Sequence, residues 1–377
     1  MSALLGIGGF PVDLTDGRAR WSVSEPTELT IDRRPASSAF TEAMTPYCFR
    51  SVRLKWSVLA SMTVFLLVGA EAIHARPNPP RVHLFETNNV IRVELDGKLF
   101  TEYHFRDVSR PFLYPILSAS RQHLTRRWPQ ETVPGEEHDH PHHHGLWWAH
   151  GAANGQDFWS EAEGAGKTVH QSFAELRSGT EEGVLVSRNR WVDHSGNVVA
   201  NDERTLRFLA PKGNERILDF SITIFATPGE LVLGDTKEGS MAIRLAESMR
   251  VKAADGSKGR GHLVNREGLQ NGAVWGTHSA WCDYSGPVGS TIQGVAIFDH
   301  PGNPRHPSTW HARDYGLFAV NPFGLHDFEK APAGTGDLKI PAGKSVTFRY
   351  RFYFHPGDSV AGDVERHYTD YEKNASH

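Results

Sequence analysis

After residue 80 the chain alternates apolar and polar positions at period two, the pattern of strands packed on one side. It is clearest near the C-terminus, where Val346, Phe348, Tyr350, Phe352 and Phe354 share one face. Thr347, Arg349, Arg351 and Tyr353 take the other. From Arg81 the same alternation predicts a meander with strands over Arg81–Thr87, Val90–Leu95 and Lys98–Phe105. Asn88-Asn89 and Asp96-Gly97 join them, pairs that tolerate the positive φ of a tight hairpin. Further strands are expected at Val184–Val192, Val198–Leu209, Glu215–Phe225, Met241–Ala246, Gly294–Phe298, Tyr315–Val320 and Val346–Phe354. Only Asp358–Glu372 reads as a helix, with Asp358 or Ser359 as its N-cap. Neither an internal repeat nor a linker interrupts this pattern. The economical architecture is one all-β domain, an antiparallel β-sandwich of two facing sheets with a short C-terminal helix.

The first eighty residues differ. Residues 1–43 carry no sustained periodicity and read as an unstructured extension or a mis-called start. From Met44 the order is a basic flank (Arg50, Arg53, Lys55), an apolar run from Trp56 to Ala70, and small residues suited to cleavage. That is the layout of a secretory signal peptide over 44–75. The rival reading is a single uncleaved anchor, although the run is short for a span of about 20 residues. In both cases the body, residues 77–377, is expected outside the cytoplasm, periplasmic or extracellular, with no other membrane contact. Net charge is −4 and no basic block exceeds two residues, which argues against nucleic acid as a partner. Of two cysteines, Cys48 would leave with the leader, so the body has no internal disulfide. The remaining Cys282 reads as a small buried apolar residue.

Six histidines fall within thirteen residues, from His138 to His150, in the run His138-Asp139-His140-Pro141-His142-His143-His144-Gly145-Leu146-Trp147-Trp148-Ala149-His150. Imidazole changes protonation near neutral pH and is the commonest metal ligand when neutral. Pro141 and the flanking glycines argue against a helix, so the run is expected to be a rigid loop entering a strand. Three uses stay open. His142 and His144, or His143 and His150, can supply two ligands to one divalent metal ion, completed by Asp139, Asp157, His306 or His311. A histidine paired with a carboxylate can instead move protons without metal. The third use is a hydrogen-bonded corner with no chemistry.

The other polar motifs are Arg106–Pro115, Trp281–Gly286, the stretch from Asp299 to Gly324, and Tyr350–Asp358. Together with Asp139-His140-Pro141-His142-His143, Leu146–Gly151 and Asn154-Gly155-Asp157-Phe158-Trp159, they resemble an exported bacterial family commonly labelled "methane oxygenase PmoA", a PmoA-like domain of unknown function. The resemblance covers most of residues 82–370. Where that pattern has Arg, this chain has His144. The label implies a metal-dependent oxygenase. A membrane methane monooxygenase is a multi-span helical protein, however, and no stretch after residue 80 is long and apolar enough to cross a bilayer.

By analogy of strand count, exported context and a His-plus-carboxylate site, the fold is expected to be a super-sandwich like that of galactose mutarotase. The leading expectation is a carbohydrate-active enzyme, a hydrolase, lyase or epimerase. His142, His143 and His150 would transfer protons or hold metal, while Arg313 and Asp314 orient substrate. Trp148 and Trp310 are expected as aromatic cleft walls, with Asp157, His306, His311 and Asn321 binding hydroxyls. Lys237-Glu238-Gly239 and Arg244 would add charge to the same cleft. The alternatives are a non-catalytic glycan-binding module and the oxygenase.

Overall fold

The computed structural model describes residues 80–227 and 229–375. The expected extension (1–43) and leader (44–75) lie outside the described residues. Two eight-stranded antiparallel sheets face each other. The first runs, in spatial order, Val82–Thr87, Val90–Leu95, Lys98–His104, Phe112–Leu113, Leu146–His150, Gly239–Arg244, Leu317–Val320 and Trp310–Ala312. The second runs His262–Asn265, Trp281–Val288, Thr291–Asp299, Ser345–Pro356, Arg216–Phe225, Val198–Leu209, Glu182–Val192 and Lys167–Arg177. A two-stranded ribbon pairs Leu231–Leu233 with Leu338–Ile340. Helices at Leu325–Glu329 and Val364–Ala375 complete the body.

The inward faces of both sheets form one core. Leu84, Ile91, Val93, Trp148, Met241 and Ile243 come from the first sheet, and Trp191, Leu206, Phe220, Ile222, Val295 and Phe352 from the second. Burial of this apolar surface is the main drive for sandwich formation. The two-residue turns take the expected geometry: Asn88 and Asn89 have φ of 47° and 64°, Asp96 and Gly97 of 48° and 71°.

The helix starts later than its sequence suggests. The Asp358 carboxylate accepts from the Val360 and Ala361 N–H groups (3.1 and 2.9 Å) and so caps a turn. Gly362 then passes so close to His355 that a Cβ would lie 2.2 Å from its ring. Asp363, at φ 50°, redirects the chain before Val364 begins the helix. The helix covers the second sheet's outer face, where Val364, Tyr368 and Tyr371 pack on Phe298 and Tyr353.

In the middle of the first sheet the strands are buried on both faces. All five residues of Leu146–His150, and all six of Gly239–Arg244, are buried. A second apolar layer covers the outer side, built from Phe112, Tyr114, Trp147, Ala149, Trp159, Ala242, Leu317 and Ala319. The candidate site opens on this layer.

Candidate functional site

A hollow of about 500 Å³ opens over the outer face of the first sheet, a size suited to a small ligand. It is lined by His140, His142, His143, Asp157, Trp159, Lys237, Glu238, His311, Arg313 and Tyr315, among others. Two distant sequence neighbourhoods meet here: the loop before Leu146 and the turn between the strands Trp310–Ala312 and Leu317–Val320.

The histidine loop is held from below. Gly145, at φ 53°, lies against the Leu113 carbonyl; a Cβ there would approach its oxygen to 2.1 Å. This closeness fixes the loop's exit into the strand. Asp139 sits between two fully buried guanidiniums. It pairs with Arg126, and Arg244 Nη2 donates to its Oδ1 and Oδ2 at 3.1 and 3.3 Å. Burial alone would raise the Asp139 pKa. The hydrogen bond from His140 and the charges of Arg244 and Arg126 overcome it, holding the carboxyl well below its ordinary range.

Asp139 in turn orients His140, whose Nδ1–H donates to Asp139 Oδ2 at 2.5 Å. That leaves His140 Nε2 as the lone-pair nitrogen, with no partner among the described residues. The ring is clamped in a stack. Tyr315 lies 5.3 Å away on an 11° tilt, His143 4.7 Å away at 12°, and Trp147 continues from His143 at 5.2 Å. An ionised carboxylate holding one imidazole nitrogen while the other faces a cavity is the arrangement of an oriented general base.

Three further imidazoles on the lining, His142, His143 and His311, are pushed toward the neutral form. Burial, then the Arg110 charge, pushes His142 down to about 4. Burial, then Arg244, holds His143 well below its usual value. His311 donates from Nδ1 to the Lys237 carbonyl (2.5 Å) and is lowered to about 4, chiefly by burial. Its Nε2 therefore carries a lone pair, like that of His140. Arg110, buried beneath the loop, donates to the carbonyls of His142 (2.9 Å), Trp159 (2.6 Å) and Ser160 (3.1 Å), tying the loop to the opposite rim.

Of the residues expected at the site, His142, His143, Asp157, Lys237, Glu238, His311 and Arg313 line the hollow. Asp157 is committed to the rim itself, accepting from the N–H groups of Trp159 and Ser160 (2.7 and 3.0 Å) and from the Ser160 hydroxyl. The others lie elsewhere, and for Trp148, Trp310 and His150 the reason is strand parity. Trp148 points inward, parallel to Leu146, and packs on Trp191 at 5.2 Å in the core; Trp147 and Trp159 are the tryptophans of the outer layer. Trp310 is likewise inward, stacked on Phe318 with its N–H donating to the Ser279 carbonyl at 2.9 Å. His150 shares the parity of Trp148 and is fully buried, donating to the Gly234 carbonyl at 3.0 Å. Asp314 does not line the hollow, and its carbonyl accepts from Lys252 N–H. Asn321 is a turn cap: its side chain donates to the Thr236 carbonyl and accepts from Phe323 N–H.

His306 pairs with buried Asp299 at 2.9 Å and faces another cavity, beside His278 and Arg305. His144 is also apart. It bonds Gln130 and Glu161, stacks on Phe112, and lines a neighbouring cavity, so it does not join His142 in a ligand pair. Among the described residues no group of three His, Cys, Asp or Glu side chains is arranged to hold a metal ion.

His140, the ring held by Asp139, and Tyr315, stacked upon it, were not among the residues expected at the site. The adjacency of Asp139 and His140 was an available signal for the first. Arg126 gave none, lying 13 residues before Asp139 with no pattern linking the two.

No match was found among curated proteins. The model of a family of unknown function, DUF6807, matches residues 90–369, a span that includes both halves of the hollow and all but one of the sixteen strands of the two sheets. The chain belongs to this family of unknown function, DUF6807.

Proposed function

We propose that the protein is an acid–base enzyme acting on carbohydrate, with His140 as proton acceptor and Asp139 as its positioning residue. The observation that carries this reading is the Asp139–His140 pair, locked by two buried arginines and opening into a ligand-sized hollow. Neutral His142 and His311 offer hydrogen bonds to hydroxyls. Trp159 gives an apolar wall against which a sugar face can lie. A leader-like segment at 44–75 favours action outside the cytoplasm.

The chemistry needs no resident metal. The oxygenase implied by the PmoA-like resemblance requires a redox metal, and the described residues do not assemble three ligands for one. That reading ranks behind.

The test is a glycan panel run with wild-type protein and with His140→Gln. Turnover of at least one glycan, falling roughly 100-fold or more in the variant at unchanged melting temperature, is the expected result. Equal turnover by the two proteins would refute His140 as base. Binding by wild type with no turnover of any glycan would favour a non-catalytic glycan-binding module.

A further inference from the structure

The hollow contains a cation with nothing to neutralise it. Arg313 lines the cavity, and among the described residues its guanidinium has no hydrogen-bond or ion-pair partner. It is nevertheless held in place, 5.7 Å from the Trp275 ring centre and 5.6 Å from that of Tyr315. The two carboxylates on the lining are otherwise engaged. Asp157 takes three hydrogen bonds within the rim, and Glu238 lies 3.5 Å from Lys237. The arginines near the floor have partners that Arg313 lacks: Arg244 and Arg126 pair with Asp139 and Arg110 donates to three carbonyls, although the Nε atoms of Arg244 and Arg110 are buried without one. A planar guanidinium kept in position without a counter-charge matches a carboxylate through two parallel hydrogen bonds.

From this we infer that the substrate is an acidic sugar, a uronate or uronate-containing glycan whose carboxylate docks on Arg313, and that the reaction begins at the carbon next to that carboxylate. The inference rests on the acid–base reading above and narrows it. Arg313 and His140 each lie within 6 Å of the Tyr315 ring centre, on a scale that one sugar ring can bridge. His140 Nε2 takes the proton from the carbon α to the carboxylate, and the C–H electron pair moves toward the carboxyl carbon as an enediolate. The positive charge of Arg313 stabilises the added negative charge. The pair then returns to form a carbon–carbon double bond and expels the oxygen at the β carbon. That leaving oxygen takes the Tyr315 phenol proton, and His140 passes its proton to the phenolate through solvent. The products are an unsaturated uronide and a free hydroxyl, with no oxidant or reductant consumed. Burial raises the Tyr315 pKa, which keeps the phenol protonated until it is needed.

The test has a binding arm and a turnover arm. Calorimetry compares methyl glucuronide with methyl glucoside on wild type, Arg313→Ala and Arg313→Lys. Wild type should bind the glucuronide roughly 10- to 100-fold more tightly than the glucoside, with affinity falling as salt rises. Arg313→Ala should erase that preference, and Arg313→Lys should retain part of it. Polyuronates are then followed by the ultraviolet absorbance of the unsaturated product. Equal binding of the two glycosides, or an undiminished preference in Arg313→Ala, overturns the assignment even where a neutral glycan is turned over. Arg313-dependent glucuronide binding without turnover supports the carboxylate site and sinks the catalytic reading on which the elimination step depends.

Discussion

Removing the charge of Asp139 tests the electrostatic base of the site. Its carboxylate is the counter-ion for Arg126 and Arg244, both with no side-chain exposure, while Asp139 itself is 30% exposed. Breaking a buried pair by deleting one partner typically costs about 3–5 kcal/mol, because the remaining charge is stranded. Partial exposure of Asp139 places Asp139→Asn near the lower end, about 3 kcal/mol, since the amide oxygen still accepts from one guanidinium. For a body of this size that loss lowers the melting temperature by roughly 5–10 °C. Thermal and urea unfolding of Asp139→Asn, Arg244→Met and the double variant form the assay. The double variant should be less destabilised than the two single losses added together, because one stranded cation has gone. Additive losses, or an Asp139→Asn protein as stable as wild type, would refute the argument. The acid limb gives an independent check. A carboxylate with a depressed folded pKa contributes stability that is fully present above its unfolded pKa and is lost progressively as pH falls from there through the folded value. The Asp139 contribution should therefore be intact at neutral pH and shrink steadily below about pH 4.

Other outcomes follow from the same geometry. His142, His150 and His311, each lowered to about 4 by burial, stay neutral in the fold while the unfolded chain protonates near 6.5. Stability should thus decline as pH drops from about 6.5 toward 4, and a flat melting temperature across that range would contradict their neutrality. Trp148→Ala, which empties a core position, should cost about 3–5 kcal/mol in urea unfolding; a loss under 1 kcal/mol would contradict its inward placement. His144→Ala should alter sugar affinity less than about twofold, because the ring lies in the adjoining cavity, and calorimetry showing a larger loss would place it in the ligand site. Dialysis against a chelator should leave turnover unchanged, and recovery of lost activity by one added metal would contradict metal-free proton transfer.

The fold was legible because its turns and alternation are local. Asn88-Asn89 and Asp96-Gly97 announce hairpins by residue type alone, and Val346–Phe354 shows its face through alternation. The centre of the first sheet was not readable in this way. Leu146-Trp147-Trp148-Ala149-His150 is apolar or buried on both sides, so nothing in the string says which tryptophan faces the core. The errors at Trp148, Trp310 and His150 share this cause. The histidine loop stands out because six imidazoles within thirteen residues are rare together. The choice of His140 over His143 depended on which ring touches Asp139, which adjacency in sequence suggests and packing fixes. The helix start failed because Gly362 and Asp363 respond to His355, a residue on a neighbouring strand.

The inward turn of Trp148 beside the outward turn of Trp147 also limits how this molecule can diverge. Side chains in the loop from His138 to His144 can vary where they do not touch Asp139, but Gly145 is fixed and the loop cannot gain or lose a single residue at its exit. One inserted residue would exchange the two indoles, driving the outer ring into the sandwich and leaving the inner one to obstruct the cavity. Descendants of this chain can retune their chemistry by substitution at this loop, while changes in length are confined to the far ends of the sheets.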